Sequence, residues 1–167
     1  LRVDHWRQSN RNLSKNIPRT DPTRSAELVP VVTRERREIE MDGRTIPRLR
    51  WAIKTASPAG PRGESWGDTH FGRSLASALE SLGQEAVVDA REAQRRESDH
   101  LDDVVLHLRG LDEYIPSYSA LSYLWVISHP DMVTRAEAQR FDRIFAASLS
   151  WSAQQSERWG LPVEALL

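Results

Sequence analysis

The chain of 167 residues contains no cysteine, which excludes disulfides, thiolate zinc sites and a cysteine nucleophile. No apolar run approaches the roughly 20 residues that a membrane-spanning helix requires. The net charge of -1 lacks the basic excess of a dedicated nucleic-acid-binding protein, because such proteins bind mainly by neutralising phosphates. The start of the chain shows neither an apolar signal region nor a cleavage site. We therefore expect a cytoplasmic protein with no nucleic-acid partner and no transmembrane segment.

The composition changes near Leu49. Residues 1–48 hold 11 basic and 7 acidic residues, whereas residues 49–167 hold 12 and 17. The first part is polar and predicts an extended basic arm, solvated or packed on a partner, with a nucleic-acid or membrane patch as the less favoured alternative. Within it, the apolar run 29–32 and residues 38–46 fit a possible β-hairpin, because Asp42-Gly43 tolerates positive φ angles.

From Leu49 to Leu167, short apolar runs alternate with helical patterns. The runs that predict strands cover residues 51–55, 86–88, 103–108, 124–128 and 144–147, and residues 161–163 begin a sixth. Helices are predicted over 71–82 and from Ser148 or Ser150 to Trp159, over the charged stretch 91–100, and after the capping box that begins at Thr134. Strands of this unbroken apolar type predict an α/β fold, a Rossmann-like parallel sheet with helices on both faces.

The carboxyl ends of the strands predict where a ligand would bind. If the strand order is the common 3-2-1-4-5-6, the first and fourth strands are neighbours and a crevice opens between their outgoing loops. Those loops cover residues 57–70 and 128–131. This order would place His70 and His129 beside one cleft.

The loop after the first strand carries Gly60, Gly63 and Gly67 just before a helix. Glycines let backbone N–H groups approach an anion, and the helix offers the positive end of its dipole. The same glycines also serve the turns of a long loop, and the pattern is neither G-x-G-x-x-G nor a Walker loop. Either Asp68 or Thr69 would cap the helix, and the other role for Asp68 is that of a carboxylate that contacts substrate hydroxyls.

Two histidines stand near the predicted cleft. His129 directly follows an apolar strand, so it is either structural or a group that handles a proton or binds a sugar hydroxyl. His70 lies in the first helical turn, where it would serve the ligand or merely cap or pack. The remaining histidines stand in no recognisable constellation: His5, His100 and His107.

Arg109 and Trp66 complete the candidates. Arg109 ends the third strand and would hold a phosphate or carboxylate bidentately, or else form a salt bridge with Asp112 or Glu113. Trp66 is a loop tryptophan that can stack on a sugar ring. No metal site is recognisable, and nothing beyond residue types supports a Ser-His-Asp arrangement.

Five segments in this order resemble the amino-terminal half of a bacterial glycosyltransferase of the GT-B fold, of the group 1, family 4-like kind. They are Trp66-Gly-Asp-Thr-His-Phe71, Val104-Val-Leu-His-Leu-Arg-Gly-Leu111, Leu124-Trp-Val-Ile-Ser-His-Pro-Asp131, Phe145-Ala-Ala-Ser148 and Trp159-Gly-Leu-Pro-Val163. The resemblance covers about residues 49–167 and not the arm over 1–48.

This resemblance implies the acceptor-side domain of an enzyme that moves a sugar from a nucleotide-sugar to an unidentified acceptor, with no metal or other cofactor. The loop from Gly63 to His70 would face the donor phosphates, and His129 would be the catalytic residue beside the reacting carbon. The substrate-binding residues would be Gly63, Trp66, Gly67, Asp68, His70, Arg109 and Asp131. The E-x7-E element of such enzymes belongs to the C-terminal donor domain, which this chain lacks, so we expect the chain alone to be inactive.

Two other functions fit the same pattern. A non-catalytic Rossmann-like binding or interaction module would use its basic arm to dock onto a partner. Another cleft enzyme, such as an epimerase, would need to bind the whole nucleotide-sugar by itself. Fold-level analogy alone does not separate these possibilities.

Overall fold

The computed structural model describes residues 37–117 and 119–167. All of them lie in one compact unit that runs from Glu35 to Leu167. The predicted arm up to residue 36, including the apolar run 29–32, lies outside the described residues. The compact unit includes the hairpin, and so it starts before the change of composition at Leu49.

The predicted hairpin is confirmed. Strand β1 (Glu38–Met41) pairs antiparallel with β2 (Arg44–Pro47). Asp42 and Gly43 between them have φ angles of 50° and 70°. Two successive positive φ angles are typical of a type I′ turn, whose twist matches that of the strands it joins.

Six parallel strands form the main sheet, so the predicted α/β class is confirmed. They are β3 (Arg50–Lys54), β4 (Glu85–Asp89), β5 (Val104–Arg109), β6 (Leu121–Val126), β7 (Arg143–Ala146) and β8 (Val163–Ala165). Their order is β4-β3-β5-β6-β7-β8. The predicted order is therefore wrong, because β3 lies between β4 and β5 and does not touch β6. All six residues of β5 are buried, and such a strand needs a neighbour on each side, which the predicted edge position would deny it.

Within the described residues, three α-helices connect the strands: α1 (Gly67–Ser81), α2 (Arg135–Ala138) and α3 (Leu149–Trp159). The predicted helix over 91–100 is wrong, since this segment forms two 3-10 turns, Arg91–Ala93 and Glu97–Leu101. Arg96, which lies between the turns, donates to the buried Asp89 at 2.8 Å. This stretch thus packs through ion pairs rather than through an apolar helical stripe.

The helices cover both faces of the sheet. On one face, Ala76 of α1 packs in a cluster with Ile53, Leu108 and Trp125. On the other face, Trp159 of α3 packs in a separate cluster with further strand residues, Leu124, Val126 and Ile144. In the part of the chain that the structure describes, no helix has the length and apolar character needed to cross a membrane.

Candidate functional site

The crevice of this sheet lies between β3 and β5. The chain leaves β3 through α1 on one face, whereas the connections after β5 lead to α3 on the opposite face. Outgoing loops diverge at such a switch point, and parallel α/β sheets bind ligands there. The loop after β6 adjoins the same edge. The switch point thus lies between β3 and β5, and not between β3 and β6 as the expected strand order would have it.

Two polar side chains meet over the backbone of Gly110, which directly follows β5. A Cβ atom added to this buried glycine would stand 3.3 Å from Oδ2 of Asp68 and 3.3 Å from Oγ of Ser128. Glycine therefore leaves room for a carboxylate from α1 and a hydroxyl from the end of β6. This convergence joins three chain segments at one point of the crevice.

His129 completes this group. Its backbone has a φ of 48° and a ψ of 49°, in the left-handed region that residues other than glycine seldom adopt. Its ring atom Nδ1 lies 3.0 Å from Oγ of Ser128, and the side chain is exposed. Strain of this kind is concentrated at functional sites, where the surrounding structure holds it in place.

The electrostatics of Asp68 tie it to His129. Partial burial raises the pKa of the Asp68 carboxyl above its ordinary value of 3.8. The nearby imidazole of His129 opposes this rise of the pKa, and the carboxylate of Asp112 adds to it. Burial is the largest of these effects, so the ionised form of the Asp68 carboxyl is disfavoured in the folded chain.

The expectation that Asp68 or Thr69 caps the helix is wrong. Helix α1 begins at Gly67, its N-cap is Trp66, and no side chain caps it. The hydroxyl of Thr69 donates at 2.7 Å to the carbonyl of Gly63. This hydrogen bond joins the first turn of α1 to the loop that precedes it. The Asp68 carboxylate stays available beside helix N–H groups that no side chain covers.

Trp66 and two charged residues form the rim. The guanidinium of Arg91 lies 5.9 Å from the centroid of the Trp66 ring, in cation–π geometry. Arg91 also donates to both carboxylate oxygens of Asp112, at 2.7 and 3.2 Å. These contacts link the loops after β3, β4 and β5, so they fix the width of the crevice.

The other candidates of the first loop differ in what surrounds them. A Cβ atom on Gly63 would lie 2.0 Å from the carbonyl oxygen of Pro58, so this glycine is required by the fold of the loop itself. The ring of His70 bonds at 2.8 Å to the carbonyl of Glu64 within the same loop. Gly67 is exposed, with nothing within 4 Å of a Cβ placed there. Of these three, only Gly67 leaves its backbone open to a ligand.

Arg109 is buried and paired. It donates to both oxygens of Glu137, at 2.7 and 3.2 Å, and to the carbonyl of Met132 at 3.4 Å. The expected salt bridge with Asp112 or Glu113 is thus wrong. Glu137 reaches the arginine because Thr134 starts α2 at this point, accepting a hydrogen bond from the Glu137 amide. Arg109 positions the loop that carries His129.

Two residues of the site, Gly110 and Ser128, were not predicted. Ser128 is the one polar residue that ends an apolar run, and Gly110 directly follows the end of a buried strand, so both carried a signal. The predicted Asp131 is exposed on the 3-10 turn Pro130–Met132. Within residues 37–117 and 119–167, no group of three or more metal-ligating side chains comes together.

Comparison with known proteins gives no family model, no curated protein and no solved structure that matches this chain, so its function has to be inferred from the residues of the crevice.

Proposed function

We propose that this crevice binds a nucleotide-sugar and that the chain is the acceptor-side domain of a glycosyltransferase. The observation that carries the proposal is the convergence of Asp68, Ser128 and His129 around Gly110, beside the N-terminus of α1. Three of the five segments that resemble family 4-like enzymes supply these four residues. The residues therefore meet in space as a shared site would require.

The chemistry of the donor fits the groups present. A sugar diphosphate carries negative charge, which the positive end of a helix and its free N–H groups attract. Gly67 lets such a group approach the helix closely. Sugar hydroxyls donate to carboxylates, and a hydroxyl bound to Asp68 would replace part of the solvation that its carboxyl loses by burial.

Transfer of a glycosyl group passes through a transition state with oxocarbenium character and a departing diphosphate. The helix end and polar groups of the crevice would stabilise the leaving charge. His129, by the resemblance, contacts the transferred sugar near its reacting carbon, and its fixed backbone conformation would hold the ring there. Arg109 contributes indirectly, by positioning the loop of His129.

The proposal assigns only half of the reaction to this chain. In the enzymes it resembles, the E-x7-E element on the second domain contributes to donor binding, and this chain carries the acceptor side. We therefore expect weak nucleotide-sugar binding and no turnover by the chain alone. The acceptor stays unidentified.

Saturation-transfer-difference NMR on the ligand tests this proposal. UDP-glucose and GDP-mannose are added in turn to the unmodified chain and to the variants Asp68→Asn and His129→Ala. We expect transfer to the sugar protons of at least one donor, which both variants reduce. The matched control is Glu64→Gln, because Glu64 lies in the same loop but pairs with Arg73 at the surface.

Two outcomes would contradict the proposal. If neither UDP-glucose nor GDP-mannose receives saturation transfer, the result would favour the alternative, a non-catalytic module whose crevice receives a protein partner. Equal transfer in all variants would show that the nucleotide-sugar binds elsewhere on the domain.

A further inference from the structure

Arg91 begins the 3-10 turn that follows β4, and two hydrogen bonds fasten this turn to the loop after β3. The amide of Arg91 donates to the carbonyl of Ser57 at 2.8 Å. The carboxylate of Glu92 accepts from the amide of Ala59 at 2.7 Å. Because the loop after β3 borders the crevice, the backbone of Arg91 is held beside the crevice.

The guanidinium of Arg91 makes two contacts of different kinds. It donates to both carboxylate oxygens of Asp112, and it lies within cation–π distance of the Trp66 ring. A guanidinium can bind a carboxylate through its forked N–H groups and also stack on an aromatic ring, whereas an ammonium has no such fork. One side chain therefore fixes a ring from the loop after β3 and a carboxylate from the loop after β5.

This ion pair lies at the surface. The side chains of Arg91 and Asp112 are 44% and 35% exposed, unlike those of the enclosed pair Arg109 and Glu137. Exposed ion pairs contribute little to stability, because water screens their charges. The contacts of Arg91 therefore matter less for the stability of the fold than for the charges and the ring at the edge of the crevice.

Asp112 acts on Asp68, the carboxylate of the crevice. Burial is the main cause of the raised pKa of Asp68, the imidazole of His129 opposes the rise, and the charge of Asp112 adds to it. The Tyr114 hydroxyl also lies within electrostatic range of both carboxylates and of Arg91. Among the described residues, no hydrogen bond or ion pair occupies the Asp68 carboxylate. Without Arg91, a second carboxylate with no counter-charge would stand near it.

We propose that Arg91 is a positioning residue of the crevice, which holds the Trp66 ring at the rim and neutralises Asp112, so that Asp68 meets a ligand without a second bare carboxylate beside it. Arg91 acts through Trp66 and Asp112 and does not itself need to touch the ligand. This role rests on the proposed function, because the diphosphate of a nucleotide-sugar would be repelled by an uncompensated carboxylate.

A pH titration of the Asp68 carboxyl carbon, followed by 13C NMR without any ligand, tests this role. Arg91→Met keeps an apolar stem but removes the charge, so it should raise the pKa of Asp68, because Asp112 is then uncompensated. Asp112→Asn should lower this pKa. The double variant should return it close to the value of the unmodified chain, since no bare charge is left. The matched control is Arg73→Met, which breaks another exposed two-bond pair, with Glu64, and should leave the pKa of Asp68 unchanged.

Two further readouts separate the ring contact from the charge. The indole N–H signal of Trp66 should shift in Arg91→Met, and the double variant should not restore it, because the ring contact depends on the guanidinium alone. Arg91→Lys keeps a charge, so it should raise the pKa of Asp68 less than Arg91→Met does. Whichever of UDP-glucose and GDP-mannose binds the unmodified chain should bind Arg91→Met about two- to fivefold more weakly, the effect expected of one exposed charge.

An unchanged pKa of Asp68 in Arg91→Met would overturn the inference, and so would an equal change in Arg73→Met. If thermal denaturation shows that Arg91→Met does not fold, Asp112→Asn decides, because a pKa of Asp68 that does not fall in this variant overturns the inference as well. The titration uses no ligand, so its result does not depend on donor binding. Failure of both nucleotide-sugars to bind the unmodified chain would reject the proposed function instead.

Discussion

Two pairs of ionisable side chains stand at the same edge of the sheet and differ in how they are enclosed. Arg109 and Glu137 are each almost fully buried, at 2% and 1% exposure, and they bind each other through two hydrogen bonds. Asp68 is half-buried and His129 exposed, and they interact only through their electrostatic fields. The first pair is complete within the fold, whereas the second faces an open crevice.

The difference shows how a charged residue near a strand end can be assigned a structural or a ligand-binding role. A buried pair whose hydrogen bonds are satisfied belongs to the structure, because a ligand would have to break it at high cost. A half-exposed carboxyl with a raised pKa, beside a strained histidine, is instead a candidate for binding a ligand, as we propose for Asp68 and His129. The structural pair supports the open one, since Arg109 holds the Met132 carbonyl in the loop of His129.

The largest expected effect comes from breaking the enclosed pair. Glu137→Leu leaves the buried guanidinium of Arg109 without its counter-charge, and should lower the free energy of unfolding by about 3–5 kcal/mol. Urea denaturation measures this change. The double variant Arg109→Met with Glu137→Leu should regain much of the loss, because no charge is then buried alone. Glu157→Leu, an exposed position on α3, is the control and should change stability by no more than about 0.5 kcal/mol.

If Glu137→Leu proved as stable as its control, the enclosed pair would not be a structural element. The distinction between the two pairs would then fail. Loss of stability that the double variant does not recover would point instead to packing around Glu137.

A smaller effect is expected from releasing the strain at His129. Glycine adopts a positive φ without penalty, so His129→Gly should raise the free energy of unfolding by about 1 kcal/mol. His129→Ala keeps the unfavourable conformation and should show no such gain. Thermal denaturation of both variants checks this prediction. A less stable glycine variant would mean that the imidazole contributes to the fold rather than to a site.

The smallest effect concerns the pH dependence that Asp68 introduces. Its pKa is higher in the folded chain than in the unfolded one, so the folded state binds the proton more tightly. Stability due to this group is therefore present below its ordinary pKa of 3.8 and is lost as the pH rises through the folded value. As the pH rises from 3.8 through the folded pKa, the free energy of unfolding of the unmodified chain should fall relative to that of Asp68→Asn. Above the folded pKa, the difference between the two free energies should stay constant.

Urea denaturation of both chains between about pH 3 and pH 7 gives this difference, since all other carboxyls are common to them. A gap that stays constant over the whole range would show that the pKa of Asp68 is unshifted. If the unmodified chain instead gained stability relative to Asp68→Asn as the pH rises, the fold would stabilise the ionised carboxylate and lower its pKa.

Much of the fold was predictable from local patterns. Short, mostly apolar runs located the parallel strands, the last of them only at its first residue, Val163, and Asp42-Gly43 located the hairpin turn. The order of the strands was not predictable, because it depends on which side of β3 the chain passes after β4. Strand β6 begins at Leu121 rather than near Leu124, since its first residues alternate between exposed and buried.

The candidate site was predictable in part for a geometric reason. All parallel strands end at one edge, so Asp68 and His129 come together there even though the expected strand order was wrong. The partner of Arg109 was missed because Glu137 lies 28 residues further along the chain, while two acidic residues stand closer in sequence. His107 carried a signal as the only polar residue among the five of 104–108, but nothing local showed that its buried ring nitrogens have no hydrogen-bond partner.

The most direct measurement is a map of amide chemical shifts for the 15N-labelled chain, with UDP-glucose or GDP-mannose added. If the crevice binds the nucleotide-sugar, the shifts will cluster at Gly67, Gly110 and Ser128 and will be lost in Asp68→Asn. Shifts that avoid these three amides, or that persist unchanged in Asp68→Asn, would contradict the account.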